Sequence, residues 1–496
     1  MTSQLEALID EAKTSGTLTN LPSQMFIDGA WVDGVSGQSM ETCDPGTGQA
    51  FAEFAAAGAG DVAAAIDSST AAFRLWSRVT PAERSSILLR GASMIRENCA
   101  LLSVVESMDS GKSVAEAQGD IAACARLMEY YAGAADKLQG ETIPLGPNYL
   151  SYTQLEPVGV TAHIIPWNYP SSTMIRGIAP ALAAGCTAIV KPAETTPLTA
   201  LLFADILHRA GLPKGVCNVV TGLGREVGAP LVAHSGVHHV TFTGSVATGV
   251  NVMKAAAENV NSVTLELGGK CPVVVLADCD IDAAVEGTLW AIFSNAGQIC
   301  SAGSRLVIER SLHAQFMEKL VTKAQAITVG HGLYNPDMGA INSKQHLAKV
   351  AGFVEDAKSR SVSVATGGSA TVDPRTGAGW FFQPTIFDNV AATDPVVQEE
   401  IFGPVLAVQI ADSVEQAVDL ANDTPFGLAA GIYTRDISKA HAIARDLDVG
   451  QIYVNEYYAG GVEVPFGGNK LSGIGREKGL AGLTAYSKIK AVTTRL

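Results

Sequence analysis

The sequence lacks a long apolar run and is poor in basic residues. Its longest suggestive apolar run lies between Arg176 and Lys191 and holds 14 residues, including Pro180, whereas a transmembrane helix needs roughly 20. Lys and Arg number 34 against 49 Asp and Glu, which gives a formal net charge of −15. Nucleic acids and anionic membranes attract basic patches, so we expect neither as a partner. No apolar signal segment opens the sequence, and we expect a soluble, cytoplasmic protein.

Paired cysteines and metal-ligand motifs are also absent from the sequence. Eight cysteines are scattered singly and no C-x-x-C pair occurs, which is typical of reduced thiols in a cytosolic protein. His234 and His238 have the helical spacing of a zinc site, but no Glu follows the first histidine. Asp278 resembles the start of a calcium loop, yet Ala283 and Leu289 stand where that loop requires Gly and Glu. We therefore expect no catalytic metal.

The composition and the order of apolar runs predict an α/β protein of about three domains. Hydrophobic residues make up 47% of the 496 residues, and roughly 150 residues per domain is usual. Between residues 158 and 268, short apolar runs alternate with longer helical segments such as Leu198–Ala210 and Ala247–Glu258. This alternation is typical of a parallel, doubly wound sheet that binds ligands beyond the carboxyl ends of its strands. The predicted strands are Val160–Ile165, Thr187–Val190, Val216–Val220, His239–Phe242 and Ser262–Leu265.

The remainder of the chain predicts further elements on either side of this region. A second α/β series begins at Pro272–Leu276 and continues to about residue 455. Pro81–Asn98 and Cys99–Leu138 contain few helix breakers, and so predict helices. Leu145–Leu155 alternates in the manner of an exposed strand.

Two glycine-rich segments are candidates for phosphate binding. Gly222–Gly228 is one residue longer than the usual dinucleotide fingerprint, and Gly244–Gly249 lacks the Lys-Ser/Thr of a Walker A loop. The second segment follows a predicted strand and opens a predicted helix, where free N–H groups and the helix dipole favour phosphate. Taken alone, either segment is more often an ordinary strand–helix turn.

Cys300 and Glu266 are candidates for nucleophile and general base. Cys300 lies in a turn between Gly297 and Gly303, and glycine allows another group to approach the backbone closely. Glu266 precedes two glycines at the end of a predicted strand. Each has a plainer interpretation, a buried structural thiol and a solvated loop charge, and spacing alone does not decide between them.

Eight segments occur in an order that is typical of one family. With them the sequence resembles the NAD(P)-dependent aldehyde dehydrogenase superfamily, of the non-acylating, hydrolytic type, over essentially its whole length. The segments are Pro166-Trp-Asn168, Lys191-Pro-Ala-Glu194, Phe242-Thr-Gly244-Ser245, Leu265-Glu266-Leu-Gly-Gly269, Gly297-Gln-Ile-Cys300, Glu400-Ile-Phe402-Gly-Pro404, Pro465-Phe-Gly-Gly468 and Ser472-Gly-Ile-Gly-Arg-Glu477.

The resemblance implies an α/β fold with three parts. A Rossmann-type cofactor domain would comprise residues 1–136 and 156–265, and an α/β catalytic domain residues 266–455. Residues 137–155 and 478–496 would form a small β oligomerisation element, through which relatives assemble as homodimers or homotetramers.

The resemblance also implies roles in catalysis for three side chains. The thiolate of Cys300 would attack the aldehyde carbon, and the Asn168 amide, with the Cys300 N–H, would stabilise the oxyanion. After hydride transfer, Glu266 would activate the water that hydrolyses the thioester to a carboxylic acid.

The same resemblance implies a nicotinamide cofactor. Glu194 should disfavour a 2′-phosphate by charge repulsion, so NAD is expected over NADP, although relatives with a similar segment use either. The cofactor-binding residues would be Lys191 and Glu194 at the adenosine ribose, Gly244, Ser245 and Trp167 near the pyrophosphate, and Glu400 and Phe402 at the nicotinamide ribose and ring.

One segment departs from the family pattern. Where many relatives have Trp-Lys, this chain has Arg176-Gly177, which puts in doubt the proton relay that in relatives links the lysine to the Glu266 and Glu477 positions. Arg176 would line the aldehyde tunnel and read an anionic or hydrogen-bonding group, as in a semialdehyde or a hydroxyaromatic aldehyde. The alternative is a structural arginine paired with a nearby carboxylate.

Two other functions are compatible with such a sequence. A CoA-acylating or phosphorylating reductase would share the fold but generally lacks the Glu266 carboxylate. A non-catalytic, crystallin-like structural relative would not need the three proposed catalytic side chains, all of which are present.

Overall fold

The computed structural model describes residues 2–496, and within that range no helix is long and apolar enough to cross a membrane. Residues 2–136 are mainly helical. Helices α3 and α5 begin with reciprocal capping boxes, in which Thr80 and Ser113 accept from the third helical N–H and the glutamate there reaches back. The elements are α1 (Thr2–Ser15), β1 (Met25–Ile27), β2 (Ala30–Val32), β3 (Ser39–Asp44), β4 (Gln49–Ala55), α2 (Ala59–Trp76), α3 (Pro81–Glu97), α4 (Cys99–Ser110) and α5 (Val114–Ala134).

Residues 137–271 alternate between strand and helix, and all five strands predicted for residues 158–268 are confirmed within one or two residues at each end. The elements are β5 (Thr142–Ile143), β6 (Tyr149–Pro157), β7 (Val160–Ile164), α6 (Pro170–Ala184), β8 (Thr187–Lys191), α7 (Leu198–Arg209), β9 (Cys217–Val219), α8 (Ala229–Ala233), β10 (His239–Thr243), α9 (Val246–Ala257) and β11 (Ser262–Glu266). Gly224–Gly228, the later part of the first glycine-rich segment, is a single π-helical turn that leads into α8.

Residues 272–496 begin with the second predicted α/β series. Its elements are β12 (Pro272–Val275), α10 (Ile281–Phe293), β13 (Arg305–Glu309), α11 (Arg310–Ala326), α12 (Lys344–Ser359), β14 (Ser363–Thr366), β15 (Ala370–Thr371), β16 (Phe381–Phe382), β17 (Thr385–Asp388), α13 (Pro395–Gln398), β18 (Val405–Ala411), α14 (Val414–Asn422), β19 (Phe426–Gly427), β20 (Ala429–Tyr433), α15 (Ile437–Asp446) and β21 (Gln451–Val454). The chain ends with β22 (Asn469–Lys470), β23 (Gly473–Ile474), α16 (Gly479–Thr484) and β24 (Ser487–Arg495).

The first sheet has the strand order β2-β1-β9-β8-β7-β10-β11-β23. Its five central strands, β9 to β11 in that order, are parallel, and the edge strands β1, β2 and β23 are antiparallel. The chain moves from β7 to β8 on one side and later returns to β10 on the other, so the strand order reverses between β7 and β10. Ligands of doubly wound sheets bind at such a reversal, beyond the carboxyl ends of the strands.

The second sheet has the order β14-β17-β18-β13-β12-β20-β21, and all its strands except β14 are parallel. A separate antiparallel sheet joins β24, β6 and β5. Helix α16, just before β24, buries Leu483 in the core between α5, α6 and the first sheet. Before α16, strand β23 pairs with the last two residues of β11 and so lies at the carboxyl edge of the first sheet.

Candidate active site

Two cavities meet at Cys300. The large cavity, of about 720 Å³, has a wall rich in aromatic rings and also contains Arg176 and Lys478. The small cavity, of about 220 Å³, is lined by the segments that follow β7, β10 and β11 and by Glu400 and Phe402. Asn168, Thr243 and Cys300 line both cavities, so the thiol lies where the contents of the two would come into contact.

The turn that carries Cys300 is held by several buried hydrogen bonds. Asn295, with a φ of 46°, donates its backbone N–H to Glu116 at 2.7 Å. The Gln298 amide donates to the carbonyls of Asn295 and Ala340 and accepts from the Asn342 N–H. A side chain at position 297 would meet the backbone carbonyl of residue 403, so glycine is required there. These contacts fix the turn before any substrate is present.

The surroundings of Cys300 favour the protonated form of its thiol. Burial raises its pKa to about 12; Arg176 opposes the rise, while Glu266 and Glu400 add to it. Cys300 nevertheless retains partial exposure, unlike the fully buried Cys124, Cys186 and Cys217. It is therefore accessible, but it must lose its proton before it can act as a nucleophile.

The Asn168 side chain is positioned directly beside this turn. Its Nδ2 donates to the Gln298 backbone carbonyl at 2.8 Å, and the Asn168 backbone carbonyl accepts from Asn295 Nδ2 at 3.1 Å. Because an amide NH₂ has two N–H groups, the second one remains for an oxyanion.

Glu266 stands at the end of β11 with its carboxyl group buried and, among the described residues, without a hydrogen-bond partner on either oxygen. Burial and the neighbouring Glu477 raise the pKa of Glu266 well above its usual range, and Arg176 partly opposes this. The surroundings therefore favour the protonated form of the Glu266 carboxyl group, as they do that of the Cys300 thiol.

Arg176 both lines a cavity and is paired with a carboxylate, the two environments considered for it from the sequence. It lines the large cavity, and it also forms an ion pair with Glu477, which lies just before α16. Its guanidinium carbon lies 5.1 Å from the centre of the Phe466 ring. The charge of Arg176 is thus largely compensated inside the protein.

The absence of a side chain at position 177 has a steric cause. A Cβ atom on Gly177 would lie 2.6 Å from Nδ1 of the buried His163. His163 stacks on Tyr486, with ring centroids 5.9 Å apart, and burial lowers its pKa to about 3. The neutral histidine ring therefore occupies the space that a lysine at this position would need, and sequence patterns gave no signal of it.

The proposed cofactor residues surround the small cavity, with two exceptions. Ser245 accepts from the Thr248 N–H as the cap of α9, and Glu400 accepts from the Gly269 N–H at 2.8 Å. Trp167 and Phe402 pack edge to face, 5.3 Å between centroids. Lys191 and Glu194 form an ion pair of 3.2 Å at the end of β8, outside the walls of both cavities.

These residues fit a dinucleotide. A free helix N-terminus at Ser245 suits a pyrophosphate, and the Glu400 carboxylate suits a ribose hydroxyl. His346, which sequence reasoning missed, completes the wall: its Nε2 donates to the Phe402 carbonyl at 2.6 Å and holds that residue at a φ of 62°. Across residues 2–496, no three His, Cys, Asp or Glu side chains cluster as metal ligands would.

Residues 31–492 match the model of the Aldehyde dehydrogenase family. The chain is 41% identical over 481 residues to hydroxyisobutyraldehyde dehydrogenase of Mycolicibacterium austroafricanum, which covers 97% of this chain and 95% of that protein. It is 41% identical over 473 residues to betaine aldehyde dehydrogenase of Bacillus subtilis (strain 168), covering 94% and 96% of the two chains. Among solved structures, betaine aldehyde dehydrogenase of Staphylococcus aureus in complex with NAD+ superimposes with a TM-score of 0.94 at 35% identity, over 99% of this chain and 96% of that one. An indole-3-acetaldehyde dehydrogenase complexed with NAD+ gives a TM-score of 0.96 at 36% identity, over 99% of both chains.

Proposed function

The chain belongs to the aldehyde dehydrogenase family, and we propose that it oxidises its aldehyde hydrolytically, through a covalent intermediate on Cys300. The observation that carries this proposal is the position of Cys300 at the junction of the two cavities. An aldehyde in the large cavity and a nicotinamide in the small one would meet at the sulfur.

The first step forms a bond between Cys300 Sγ and the aldehyde carbon, and the carbonyl π electrons move to oxygen. The thiol must first transfer its proton to water in the cavity, because the pKa of about 12 keeps the proton bound. The second N–H of Asn168 and the Cys300 backbone N–H are the donors for the oxyanion, and removal of one such donor typically costs about 10²–10³ in rate.

The second step converts the tetrahedral adduct into a thioester and then an acid. NAD+, when bound, supplies the hydride acceptor. Glu266, once ionised, takes a proton from a water molecule, and the water oxygen attacks the thioester carbon. The C–S bond then breaks, which releases the carboxylic acid and returns Cys300. A base that is buried with raised pKa suits this task, because proton transfer is most efficient when the pKa lies near the working pH.

We propose NAD over NADP as the preferred cofactor. Glu194 stands beside Lys191, and its carboxylate would repel a 2′-phosphate at the adenosine ribose. A comparison of NADH and NADPH formation at saturating aldehyde tests this preference.

Arg176 is our candidate for contact with a polar group on the aldehyde, with its charge offset by Glu477. Relatives are named for hydroxyisobutyraldehyde, betaine aldehyde and 4-trimethylaminobutyraldehyde, which differ in charge. The family therefore leaves the distal group of this substrate open, and a panel of neutral, anionic and cationic aldehydes with wild type and Arg176→Ala tests it. Equal losses on all of them would contradict the role of Arg176.

Two observations favour hydrolysis over acyl transfer to CoA or phosphate and over a structural role. The Glu266 carboxyl group is present and unpartnered beside Cys300, and the turn that carries the thiol is braced. The test is product analysis with and without CoA or phosphate. Free acid formed without either supports hydrolysis, an acyl product that requires one of them contradicts it, and failure of Cys300→Ser to abolish NADH formation contradicts the covalent mechanism.

Assembly as a homodimer or homotetramer is proposed through the sheet of β5, β6 and β24. Strand β24 is exposed along most of its length and pairs on only one side, with β6. An uncovered edge strand readily pairs with another chain. Light scattering of wild type and of a variant truncated before β24 measures the contribution of this edge.

A further inference from the structure

We propose that Lys478 reads the distal group of the substrate, and that this group is an anion such as a carboxylate. The inference rests on the proposed aldehyde oxidation and adds a specificity-determining residue to it. Three independent features of the structure carry it: the charge balance of the large cavity, the position of the ammonium, and the backbone conformation of Lys478.

The wall of the large cavity contains three cations, and Lys478 is the one without a carboxylate partner. Lys112 binds Asp120 at 2.5 Å, and Arg176 binds Glu477. The two remaining acids of the wall accept only from uncharged donors at other points of it: Glu116 from the Asn295 N–H, and Asp337 from the N–H and hydroxyl of Thr328. Among residues 2–496, no carboxylate lies within 4 Å of the Lys478 ammonium, and the side chain makes no hydrogen bond.

Lys478 lines the large cavity together with Cys300 and Arg176. Its Nζ is 5.5 Å from the centre of the Phe466 ring, which also contacts Arg176. Burial and Arg176 lower the pKa of Lys478 to about 8, whereas Glu477, Cys300 and Glu266 act in the opposite direction. The group is therefore still mostly protonated at neutral pH, and an anion placed beside it would gain a charge-assisted hydrogen bond.

The backbone of Lys478 adopts a strained conformation in the segment that places its side chain in the cavity wall. Its φ of 58° and ψ of 173° fall in a region that is almost restricted to glycine. Glu477 and Phe466 exchange two backbone hydrogen bonds immediately before it, each 2.7 Å long, and the Lys478 carbonyl accepts from the Gly482 N–H after it. The chain thus fixes a side chain where glycine would be less strained, which is typical of functional positions.

An anionic substrate follows from the sign of this charge. A quaternary ammonium placed beside Lys478 would meet a cation without a carboxylate partner, whereas a carboxylate placed there would form an ion pair with it. A neutral aldehyde would bind through the aromatic wall without gain from Lys478. A substitution at position 478 should therefore change the ratio of kcat/KM between anionic and neutral aldehydes more than it changes kcat/KM for a neutral aldehyde.

The test uses three aldehydes that share a straight four-carbon chain: 4-oxobutanoate, butanal and 4-trimethylammoniobutanal. The kcat/KM of each is measured with NAD+ for wild type, Lys478→Met, Lys478→Arg and Lys478→Gly. We expect the ratio of 4-oxobutanoate to butanal to fall about 10- to 100-fold in the Met and Gly variants, the worth of a hydrogen bond to a charged group. The ratio for the cationic aldehyde should rise, and Lys478→Arg should retain the wild-type order.

The Gly variant separates specificity from folding. It removes the ammonium and relieves the backbone strain, so its melting temperature should equal or exceed that of wild type while its selectivity is lost. Equal losses on all three aldehydes, or a wild-type ratio in Lys478→Met, would overturn the role of Lys478 and leave the proposed oxidation intact. Absence of NADH formation by wild type with every aldehyde would instead overturn both.

Discussion

The groups proposed to bind the nucleotide (the nucleotide side) and the groups proposed to act in the reaction (the reaction side) differ in whether their polar atoms have partners within the protein. On the nucleotide side, Ser245, Glu400 and His346 each have a hydrogen-bond partner within the protein. Of the groups proposed to act in the reaction, Glu266, which lines the small cavity, has no partner for either carboxyl oxygen, and Lys478, in the wall of the large cavity, forms no ion pair within residues 2–496. The two surfaces meet at the same thiol.

This difference reflects what each surface must do. Groups that only hold a ligand can be oriented beforehand by protein partners, and the ligand then adds to bonds that already exist. A group that must gain and lose a proton cannot be locked in one protonation state by a permanent partner. An unsatisfied buried polar group costs about 1–3 kcal/mol of stability. We therefore infer that the unpartnered groups of the reaction side lower the free energy of unfolding, and that substitutions which remove them can raise it.

The largest expected effect is that of Cys300→Ala, which should abolish the reaction and leave nucleotide binding unchanged. It removes the only sulfur at the junction of the cavities, and loss of the nucleophile in a hydrolase costs about 10⁶-fold in turnover. NADH formation should fall below detection, while calorimetry should show NAD+ binding close to wild type, because the nucleotide side is satisfied without the thiol. A parallel loss of NAD+ affinity would show that the two sides are not separable.

A sharper comparison comes from one substitution made at two buried glutamates. Glu266→Gln should lower steady-state turnover by about 10²–10⁴, as expected for loss of a general base. A burst of NADH equal to the number of sites should remain, because hydride transfer precedes hydrolysis. The melting temperature should not fall, since an unpartnered carboxyl group is removed.

Glu477→Gln is the matched control for stability. It leaves the buried Arg176 without its counter-charge, and breaking a buried pair costs about 3–5 kcal/mol. Urea unfolding should therefore show a loss for this variant and none for Glu266→Gln. The same loss in both variants would contradict the inference that the unpartnered Glu266 lowers the free energy of unfolding.

The small cavity was largely predictable from sequence, because several residues that line it follow strands that are readable as short apolar runs. Asn168, Ser245 and Glu266 all stand just after a predicted strand, and parallel strands bring their carboxyl ends together. The family resemblance then added roles that spacing alone left open.

The reaction side was not predictable in the same way. The Arg176–Glu477 pair joins residues 301 positions apart, and it forms only because α16 packs against α6. The substitution at Gly177 was visible as a departure, but its cause, the ring of His163, is a contact between a strand and a helix. Lys478 carried no sequence signal, because a lysine before a glycine is ordinarily a surface residue.

The pH dependence of thiol reactivity gives a smaller effect, of about 100-fold. With a pKa of about 12, the thiolate fraction of Cys300 rises tenfold per pH unit below that value, and only the thiolate reacts. Alkylation of the free protein by iodoacetamide, followed by mass spectrometry of the Cys300 peptide, should accelerate about 100-fold between pH 7 and pH 9. A plateau before pH 9 would mean that burial does not hold the thiol protonated.

The smallest expected effect tests whether the nucleotide side also contains a charge that selects its ligand. Glu194→Gln removes the carboxylate beside Lys191, to which it is paired at 3.2 Å, and leaves that ammonium to meet a 2′-phosphate. A charge pair at 4 Å is worth about 1 kcal/mol in water, and the Glu194 side chain is partly exposed, so the NADP-to-NAD ratio of kcat/KM should rise about fivefold. Asp205→Asn, at a surface pair with Arg209 on α7, is the control and should leave the ratio unchanged. A rise confined to Glu194→Gln would show that the nucleotide side selects its ligand through the negative charge of Glu194. An unchanged ratio would restrict charge selection to the reaction side.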